Sequence, residues 1–392
     1  MPTLNQGVIA SYKDSITSVR NVVNTLAYMS PQFFPILKRI GGGTPEAPKL
    51  RSLDTESGTV HADKLEWEDT ILRPFKFVLN GAMTNVQTTI DSTPTSDRPH
   101  FVKGLVLQVD DEQMLVTVAG LSGTPPTITR GWGGTTAVTH LTAAPIEVVT
   151  RVHEQGTTVD VDPFVTPDMP FNYWQEIAEG YSISEAEMQI ERYLRNPDGY
   201  RNLKLFEAMK ACYTVLERGI LLGKRVAGVA GTPSAIGGLD TFIDSANFTN
   251  KAAAAVATSD INNLMRLIFE TTGTVPNALW TSGYGKVALS NLYSNPTNLN
   301  INRDQGDKRA GAPVGFIDTD FGPLEVVTSP FIPQKNMWFI AEDMLGVGPL
   351  GELDFAEKEL ATDGTYQRFK VSGNYTFQMR ASKCHGKIFN FA

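Results

Sequence analysis

The chain has 392 residues, of which 41% are hydrophobic and 19% are charged, so we expect an ordered protein with more than one hydrophobic core. A net charge of −8 argues against a sequence-independent grip on nucleic-acid phosphates. Two cysteines exclude a disulfide framework and a four-cysteine zinc site, and the sequence carries no signal peptide and no long apolar run, so we expect a cytoplasmic origin and no membrane contact.

The first elements predict an arm, residues 1–50, without a core of its own. Residues 12–29 have an apolar stripe at helical spacing, formed by Ile16, Val19, Val23 and Leu26. Pro31 and Pro35 block continuation of this helix, and the glycines at 41–43 predict a flexible joint. An apolar stripe with no local partner must pack against another part of the protein.

A long two-stranded loop carrying a small all-β unit is predicted next. Residues 59–71 alternate apolar Leu65 and Trp67 with charged residues, which indicates a half-exposed strand. Between residues 75 and 150 the chain is rich in Thr, Val and Gly and contains short strand-like segments joined by tight turns. A second alternating stretch starts near residue 170. Because strands of this kind flank the β unit on both sides, we interpret it as an insertion at the tip of the loop.

Two helices are predicted after the loop. Ser184 and Glu187 form a capping-box pattern for a helix that runs to Leu194. Pro197 takes the permitted first position of a longer helix, whose apolar spacing continues to Gly223. The charged residues of this helix occupy its other sides, where we expect contact with solvent: Lys204, Glu207, Lys210 and Glu217.

Helices and strands alternate beyond a boundary rich in glycine and proline at residues 228–243. Ser259 is the expected cap of a helix that ends near Gly273, and a strand at 278–282 follows. Another helix is expected around residues 286–293.

The C-terminal part predicts a surface loop and then strands. Residues 295–313 are too polar to belong to a core. The segments that follow have the composition of strands, and the last two, at 367–381 and 385–391, are expected to pair with each other in antiparallel orientation. Together the elements predict an α+β fold.

No convergent motif indicates chemistry. The five histidines lack metal-ligand spacing, and there is no nucleophile elbow or phosphate-binding glycine loop, so RGWGGTT at 130–136 is interpreted as a turn. Calcium or magnesium ligation is conceivable at Asp110, Asp111 and Glu112, but no glycine-spaced loop supports it, and a solvated turn is favoured. We therefore expect no catalytic residue, no cofactor and no metal.

Nine segments resemble one protein family in the order in which they occur. They are MSPQFFPILKRIG (29–41), LEWED (65–69), VDDEQMLVTV (109–118), TRGWGGTTAVTH (129–140), NYWQEIAEGYSISEAE (172–187), ERGILLGK (217–224), GTPSAIGGL (231–239), DTDFGPLEVV (318–327) and KCHGKI (383–388). On these segments the chain resembles the major capsid proteins of tailed bacteriophages, which share the Hong Kong 97 capsid fold. More narrowly, it resembles a branch with a β domain inserted in the extended loop.

The resemblance implies a division of the chain into the parts of that fold. These are an N-terminal arm at 1–50, an extended loop at 51–182 with an inserted all-β domain at 73–157, a peripheral domain at 183–231 with a spine helix at 197–223, an axial domain at 232–345, and return strands of the peripheral domain at 346–392. We expect the inserted domain to fold locally and to project outward. Aromatic residues of the loop are the expected subunit contacts: Trp67, Phe75 and Trp174.

The resemblance also implies a structural role rather than enzymatic activity. Hexamers and pentamers of the chain would form the icosahedral head of a virion, assembled in the bacterial cytoplasm, around double-stranded DNA that is not bound sequence-specifically. Separate scaffolding and portal proteins are expected partners, with a decoration protein as a further one, and we expect no long precursor segment. Two alternatives stay open, an encapsulin-like compartment that binds an enzyme cargo and a metal- or carboxylate-dependent hydrolase.

Overall fold

The computed structural model describes residues 34–45, 47–53, 62–69, 74–156, 168–184, 197–294, 315–351, 354–363 and 366–392. Its helices in these ranges are α1 (Pro35–Gly41), α2 (Pro197–Leu222), α3 (Leu239–Phe242), α4 (Thr258–Thr272) and α5 (Gly283–Ser294). The strands are β1 (Lys64–Glu66), β2 (Lys76–Leu79), β3 (Ser92–Thr93), β4 (Leu105–Val109), β5 (Glu112–Val118), β6 (Thr127–Thr129), β7 (Pro145–Arg151), β8 (Phe171–Tyr173), β9 (Gln175–Ser184), β10 (Phe248–Asn250), β11 (Ala278–Thr281), β12 (Phe316–Thr319), β13 (Gly322–Thr328), β14 (Asn336–Ile340), β15 (Leu345–Pro349), β16 (Ala356–Asp363), β17 (Tyr366–Met379) and β18 (Gly386–Phe389).

Several sequence predictions fall outside the described residues. They are the amphipathic helix at 12–29, the capped helix that follows Ser184 and runs to Leu194, and the surface loop at 295–313. Ser184 itself is the last residue of β9. These elements therefore stay predictions.

The long helix α2 begins at Pro197 and ends at Leu222, directly before Gly223, as the apolar spacing predicts. Its residues Cys212, Leu216 and Ile220 are spaced four apart and are wholly buried. They face a sheet, called here the long sheet, in which β17 is central. β17 pairs antiparallel with β9 along one edge and with β16 and then β15 along the other. Helix α2 and this sheet enclose the largest hydrophobic cluster of the described chain.

Two glycines let the chain after α2 turn back tightly against the helix. A Cβ atom on Gly223 would lie 2.5 Å from the carbonyl oxygen of Ile236. A Cβ atom on Gly238 would lie 2.6 Å from the carbonyl oxygen of Ile220. Both distances are shorter than any real Cβ contact, so only glycine allows this approach. The segments 217–224 and 231–239 therefore pack backbone to backbone.

A second sheet, called the α/β sheet, has the strand order β10-β18-β14-β11-β13-β12. Trp280 on β11 lies opposite Trp338 on β14, and both side chains are fully buried. Helices α4 and α5 contribute to a second hydrophobic cluster with this sheet. Its helical members are Ile261, Leu264, Met265, Ile268 and Leu289.

Two predictions for this region are wrong in detail. The cap of α4 is Ala257, whose N–H donates to the carboxylate of Asp260 at 2.8 Å, and Ser259 lies inside the first turn. The last two strands do not pair, since β18 joins β10 and β14 in the α/β sheet while β17 belongs to the long sheet. Between them, Ala381 adopts a left-handed conformation (φ 53°) before a short 3₁₀ turn, which redirects the chain to the other sheet.

A third sheet, called the loop sheet, is formed by β2 to β7 in the order β3-β2-β7-β4-β5-β6. All of its strand pairs are antiparallel. It has a hydrophobic cluster of its own, which includes Phe77, Leu79, Ile90, Phe101, Leu107, Met114 and Ile146. The sheet lies within residues 73–157, and the boundaries of the inserted domain stay a prediction.

A two-stranded ribbon leads from the body of the subunit to the loop sheet. Strand β1 pairs antiparallel with β8, from Lys64 opposite Tyr173 to Glu66 opposite Phe171. A backbone bridge between Asp69 and Asp168 extends the pairing. The ribbon occupies the position of the two predicted flanking strands.

Candidate assembly surfaces

The residues around α1 pack against the large hydrophobic cluster between α2 and the long sheet. Phe34 and Leu37 have no exposed surface. The Phe34 ring stacks on Phe331 at a centroid distance of 6.1 Å and meets the edge of Tyr213 at 5.5 Å. Pro35 starts the helix, because a proline is tolerated in the first turn, where its missing N–H has no partner to lose. Interpreted from the sequence as a helix block, Pro35 gives no prediction of α1.

Polar contacts tie the same segment to two sheets. The Arg39 guanidinium forms ion pairs with Glu325 on β13 and with Glu342, which follows β14. The hydrogen bond to Glu325 raises the pKa of Arg39 above its ordinary value. Farther along, the N–H of Ser52 donates to the carbonyl of Val347 on β15 at 2.8 Å. Residues 34–53 thus bridge the α/β sheet and the long sheet.

The ribbon is anchored in its own subunit near Trp67. The Trp67 side chain is 6% exposed, and its ring packs 5.4 Å from that of Phe242. The carboxylate of Asp69 accepts hydrogen bonds from the N–H groups of Ala381 at 2.9 Å and Ser382 at 3.2 Å. Trp67 therefore offers little surface to a neighbouring molecule, and its intersubunit role stays a prediction.

The other two predicted contact residues are more accessible. Phe75 precedes β2 and is 58% exposed, while Trp174, between β8 and β9, is half-buried. Phe75 and Leu267 of α4 both line a cleft of about 710 Å³ between the loop sheet and α4. Phe75 and Leu267 both leave apolar surface uncovered within one subunit, as expected of contact residues.

Further large apolar side chains are exposed on the loop sheet and around the α/β sheet. On the loop sheet and its turns they are Val86, Val118, Leu121, Val138 and Leu141. Around the α/β sheet they are Phe269, Tyr284, Val287 and Phe316. Single exposed apolar residues are normal on a protein surface, and apolar residues that group together mark protein contact sites.

A buried ion pair shapes the glycine-rich loop that follows β6. The Glu112 carboxylate is fully buried and accepts two hydrogen bonds from Arg130, each at 2.7 Å. It also accepts from the N–H groups of Gly131 at 3.1 Å and Val138 at 3.0 Å. Burial opposes the charge, but the hydrogen bonds from Arg130, Val138, His140 and Gly131 outweigh it and lower the pKa of Glu112 to about 2. The loop is thus wrapped around one carboxylate.

This arrangement corrects the interpretation of the acidic triplet as a solvated turn. Only Asp110 and Asp111 face solvent. The Oδ2 atom of Asp110 lies 2.7 Å from Nδ1 of His140, within hydrogen-bond distance. The Nε2 atom of the same His140 ring lies 3.0 Å from Glu112. Sequence reasoning missed this cluster, although the segments 109–118 and 129–140, which contain its members, both carried the family resemblance. The turn predicted at 130–136 is confirmed.

The part of the chain that the structure describes was compared with the requirements of a metal site and of a membrane-spanning helix. Within the ranges given above, no group of three or more His, Cys, Asp and Glu side chains is arranged to hold a metal ion. Among the helices that the structure describes, none has the length and apolar character required to cross a bilayer. Cys212 and Cys384 are buried and unbridged.

Comparison with solved structures identifies the fold. The Cyanophage A-1(L) capsid matches over 98% of this chain and 99% of that chain, with a TM-score of 0.55 at 11% identity. A structure from Mycobacterium phage Ogopogo matches over 98% of this chain and 100% of that chain, with a TM-score of 0.50 at 9% identity. The holo-SrpI encapsulin from Synechococcus elongatus covers 58% of this chain and 77% of its own, with a TM-score of 0.39 at 8% identity. The fold is that of the Hong Kong 97-like capsid proteins of tailed phages.

Comparison with family models identifies the family. The model described as SU10 major capsid protein matches residues 5–392, and the chain therefore belongs to this family. A search of curated protein sequences gave no match. The chain is a structural protein of a phage head shell, and its subunits associate with one another in that shell.

Proposed function

We propose that the chain assembles as hexamers and pentamers into an icosahedral head that encloses packaged double-stranded DNA. The observation that carries this proposal is the uncovered apolar surface of the subunit, from Phe75 and Leu141 on the loop side to Val287 and Phe316 on the α/β sheet. A closed shell covers such surface by repeating the same few contacts between copies. Family membership over nearly the whole chain supports the same proposal.

Contacts within the shell are proposed at the extended loop. Phe75 and Trp174 have surface left for a neighbouring subunit, and Trp67 supports the ribbon that carries them. We retain the division into arm, loop, peripheral domain and axial domain, with the loop sheet as an inserted domain that projects outward. Its separate hydrophobic cluster supports local folding.

The enclosed DNA is proposed to be held by confinement and not by binding. A net charge of −8 gives the subunit little attraction for phosphates as a whole. A portal protein, a separate scaffolding protein and a decoration protein are the further partners we propose, with assembly in the bacterial cytoplasm. None of these roles requires catalysis by the chain.

Electron microscopy and analytical ultracentrifugation of the purified full chain test the proposal. Closed icosahedral shells, filled with DNA when taken from infected cells, are the expected result. Shells filled with a single other protein would favour an encapsulin-like compartment instead. A stable monomer or small oligomer that fails to assemble at any protein concentration would contradict the proposal.

A further inference from the structure

Glu217 lies where three parts of the subunit meet. It belongs to α2, and its side chain has no exposed surface. The hydroxyl of Ser329, directly after β13, donates to its Oε1 atom at 2.8 Å. The backbone N–H of Leu37 in α1 faces its Oε2 atom at 3.4 Å, and the N–H of Ile36 also contributes. The expectation that Glu217 contacts solvent is therefore wrong.

The carboxyl of Glu217 supplies an acceptor that α1 lacks in its own sequence. The first N–H groups of a helix have no partner inside the helix and are usually satisfied by a capping side chain. In α1 the capping position is Phe34, whose side chain cannot accept a hydrogen bond. Glu217 meets the N–H groups of Ile36 and Leu37 from a helix 180 residues away. One buried carboxyl therefore contributes to the docked position of α1, beside the packing of Phe34 and the ion pairs of Arg39.

Among the described residues, no charged side chain balances Glu217. Burial is the main influence on its acidity, and only the hydrogen bonds from Ser329, Leu37 and Ile36 act against it. Burial therefore raises the pKa of Glu217 to about 7. The titratable residues of the surrounding elements are exposed or make contacts of their own, and they are Lys38, Arg39, Lys210, Cys212, Tyr213, Arg218, Glu325 and Glu342.

We propose that Glu217 is a proton-controlled latch for α1, which holds the helix on the core while the carboxyl is protonated and weakens its docking when the carboxyl ionises. The proposal concerns the subunit and does not depend on the assembled form. When α1 is displaced, Glu217 loses its cover and meets water, where its carboxyl has the ordinary pKa of 4.5. Displacement at a pH between these two pKa values is then accompanied by loss of a proton.

The direction of the pH dependence follows from this difference. A group whose pKa is raised in the docked state stabilises docking fully below 4.5 and loses that contribution as the pH rises to about 7. The equilibrium constant for opening rises about tenfold per pH unit in this interval and levels off above it. Between pH 5 and pH 8 the two pKa values give a total increase of roughly 70-fold.

Hydrogen exchange measured by mass spectrometry on the full chain tests the latch. We would follow peptides that cover Pro35–Gly41 from pH 5 to pH 8.5, corrected for the intrinsic pH dependence of exchange. The expected result is protection that falls roughly 70-fold between pH 5 and pH 8, with a break near pH 7. Glu217→Gln keeps the size and an acceptor but cannot ionise, so its corrected profile should be flat. Glu207→Gln, at an exposed ion pair on the same helix, is the matched control and should keep the parent profile.

A second variant separates the latch from general loss of packing. Ser329→Ala removes a hydrogen bond that favours the ionised form, so it should move the break to higher pH. This result would support the proposal even if Glu217→Gln did not fold. A flat profile in the parent protein would overturn it, as would an unchanged break in Ser329→Ala or a parent-like profile in Glu217→Gln. Equal loss of protection in β11 and β13 would also overturn it, because that outcome indicates global unfolding.

Discussion

Replacing Arg130 by methionine tests whether the buried ion pair with Glu112 holds the loop sheet together. The Glu112 side chain is 0% exposed and that of Arg130 is 8% exposed. The substitution takes two hydrogen bonds from a buried carboxylate, and the backbone carbonyls of Thr84, Gln87 and Val138 lose a donor as well. Breaking a buried pair from one side costs about 3–5 kcal/mol. The lower value corresponds to a change of about 150-fold in the unfolding equilibrium of the loop sheet.

Native-state hydrogen exchange on the full chain is the appropriate assay, because it resolves the sheets separately. Amides of β4, β5 and β7 should exchange about 150-fold faster in Arg130→Met, while those of β11 and β14 should be unchanged. Lys76→Met is a matched control in the same sheet. Its partner Glu147 lies 3.9 Å away, with both side chains about half exposed, so we expect an effect below about 0.5 kcal/mol.

A double variant adds a further check on the same ion pair. Glu112→Gln together with Arg130→Met removes the unpaired charge, so this protein should recover part of the protection that Arg130→Met loses. If Arg130→Met behaved like Lys76→Met, or if the double variant were less stable than Arg130→Met, the ion pair would not be what holds the loop.

Three further predictions follow from the same structure. The pKa of Glu112 is lowered from 4.5 to about 2, so its contribution is complete above pH 4.5 and is lost as the pH falls. Acid titration from pH 5 to pH 2 should thus lower the free energy of unfolding of the loop sheet by about 3 kcal/mol through Glu112. Glu112→Gln should remove this part, while the part due to Asp91, whose pKa is lowered by its hydrogen bonds with Arg98, should remain. Gly238→Ala places a Cβ atom 2.6 Å from the Ile220 carbonyl oxygen and should lower stability in thermal denaturation by about 1–3 kcal/mol, whereas no loss would contradict the tight packing. Phe75→Ser should leave the fold intact but weaken assembly, measured by light scattering, by about 2 kcal/mol per contact. The control Lys76→Ser should assemble normally. Equal assembly of the two variants would exclude Phe75 from the interface.

Elements whose signals lie within a few residues of one another could be predicted from the sequence. Helix α2 follows from Pro197 at its start, apolar residues at helical spacing and Gly223 after its end. Strand β11 follows from a short apolar run, and all four of its residues are buried. The end of α4 at Gly273 has the left-handed conformation that glycine adopts most easily.

Features that depend on distant parts of the chain could not be predicted. The alternation of apolar and polar residues predicts β17 and β18 as strands, but it contains no information on which strands they pair with. The left-handed conformation of Ala381 changes the chain direction between them, so that they belong to different sheets. Glu112 and Glu217 carry charges that are normally solvated. Both are buried because their partners, Arg130 and Ser329, are brought to them only by folding, across 18 and 112 residues of sequence.

The segments that carried the family resemblance meet one another inside the subunit. Segment 109–118 binds segment 129–140 through Glu112, and segment 217–224 packs on segment 231–239 at its glycines. Segment 29–41 reaches segment 217–224 through Glu217.

These contacts report how one subunit folds, and of the three predicted subunit contacts only the half-buried Trp174 both lies in a resembling segment, 172–187, and keeps surface for a neighbour. Phe75, the most exposed of the predicted contact residues, lies outside all of the resembling segments, whereas Trp67 lies in segment 65–69 and is buried in its own subunit. An internal contact contributes to every folded copy, but a surface contact contributes only when a neighbour is present. Substitutions at buried residues of the resembling segments should thus lower subunit stability, while substitutions at exposed apolar residues should change assembly and leave the subunit folded.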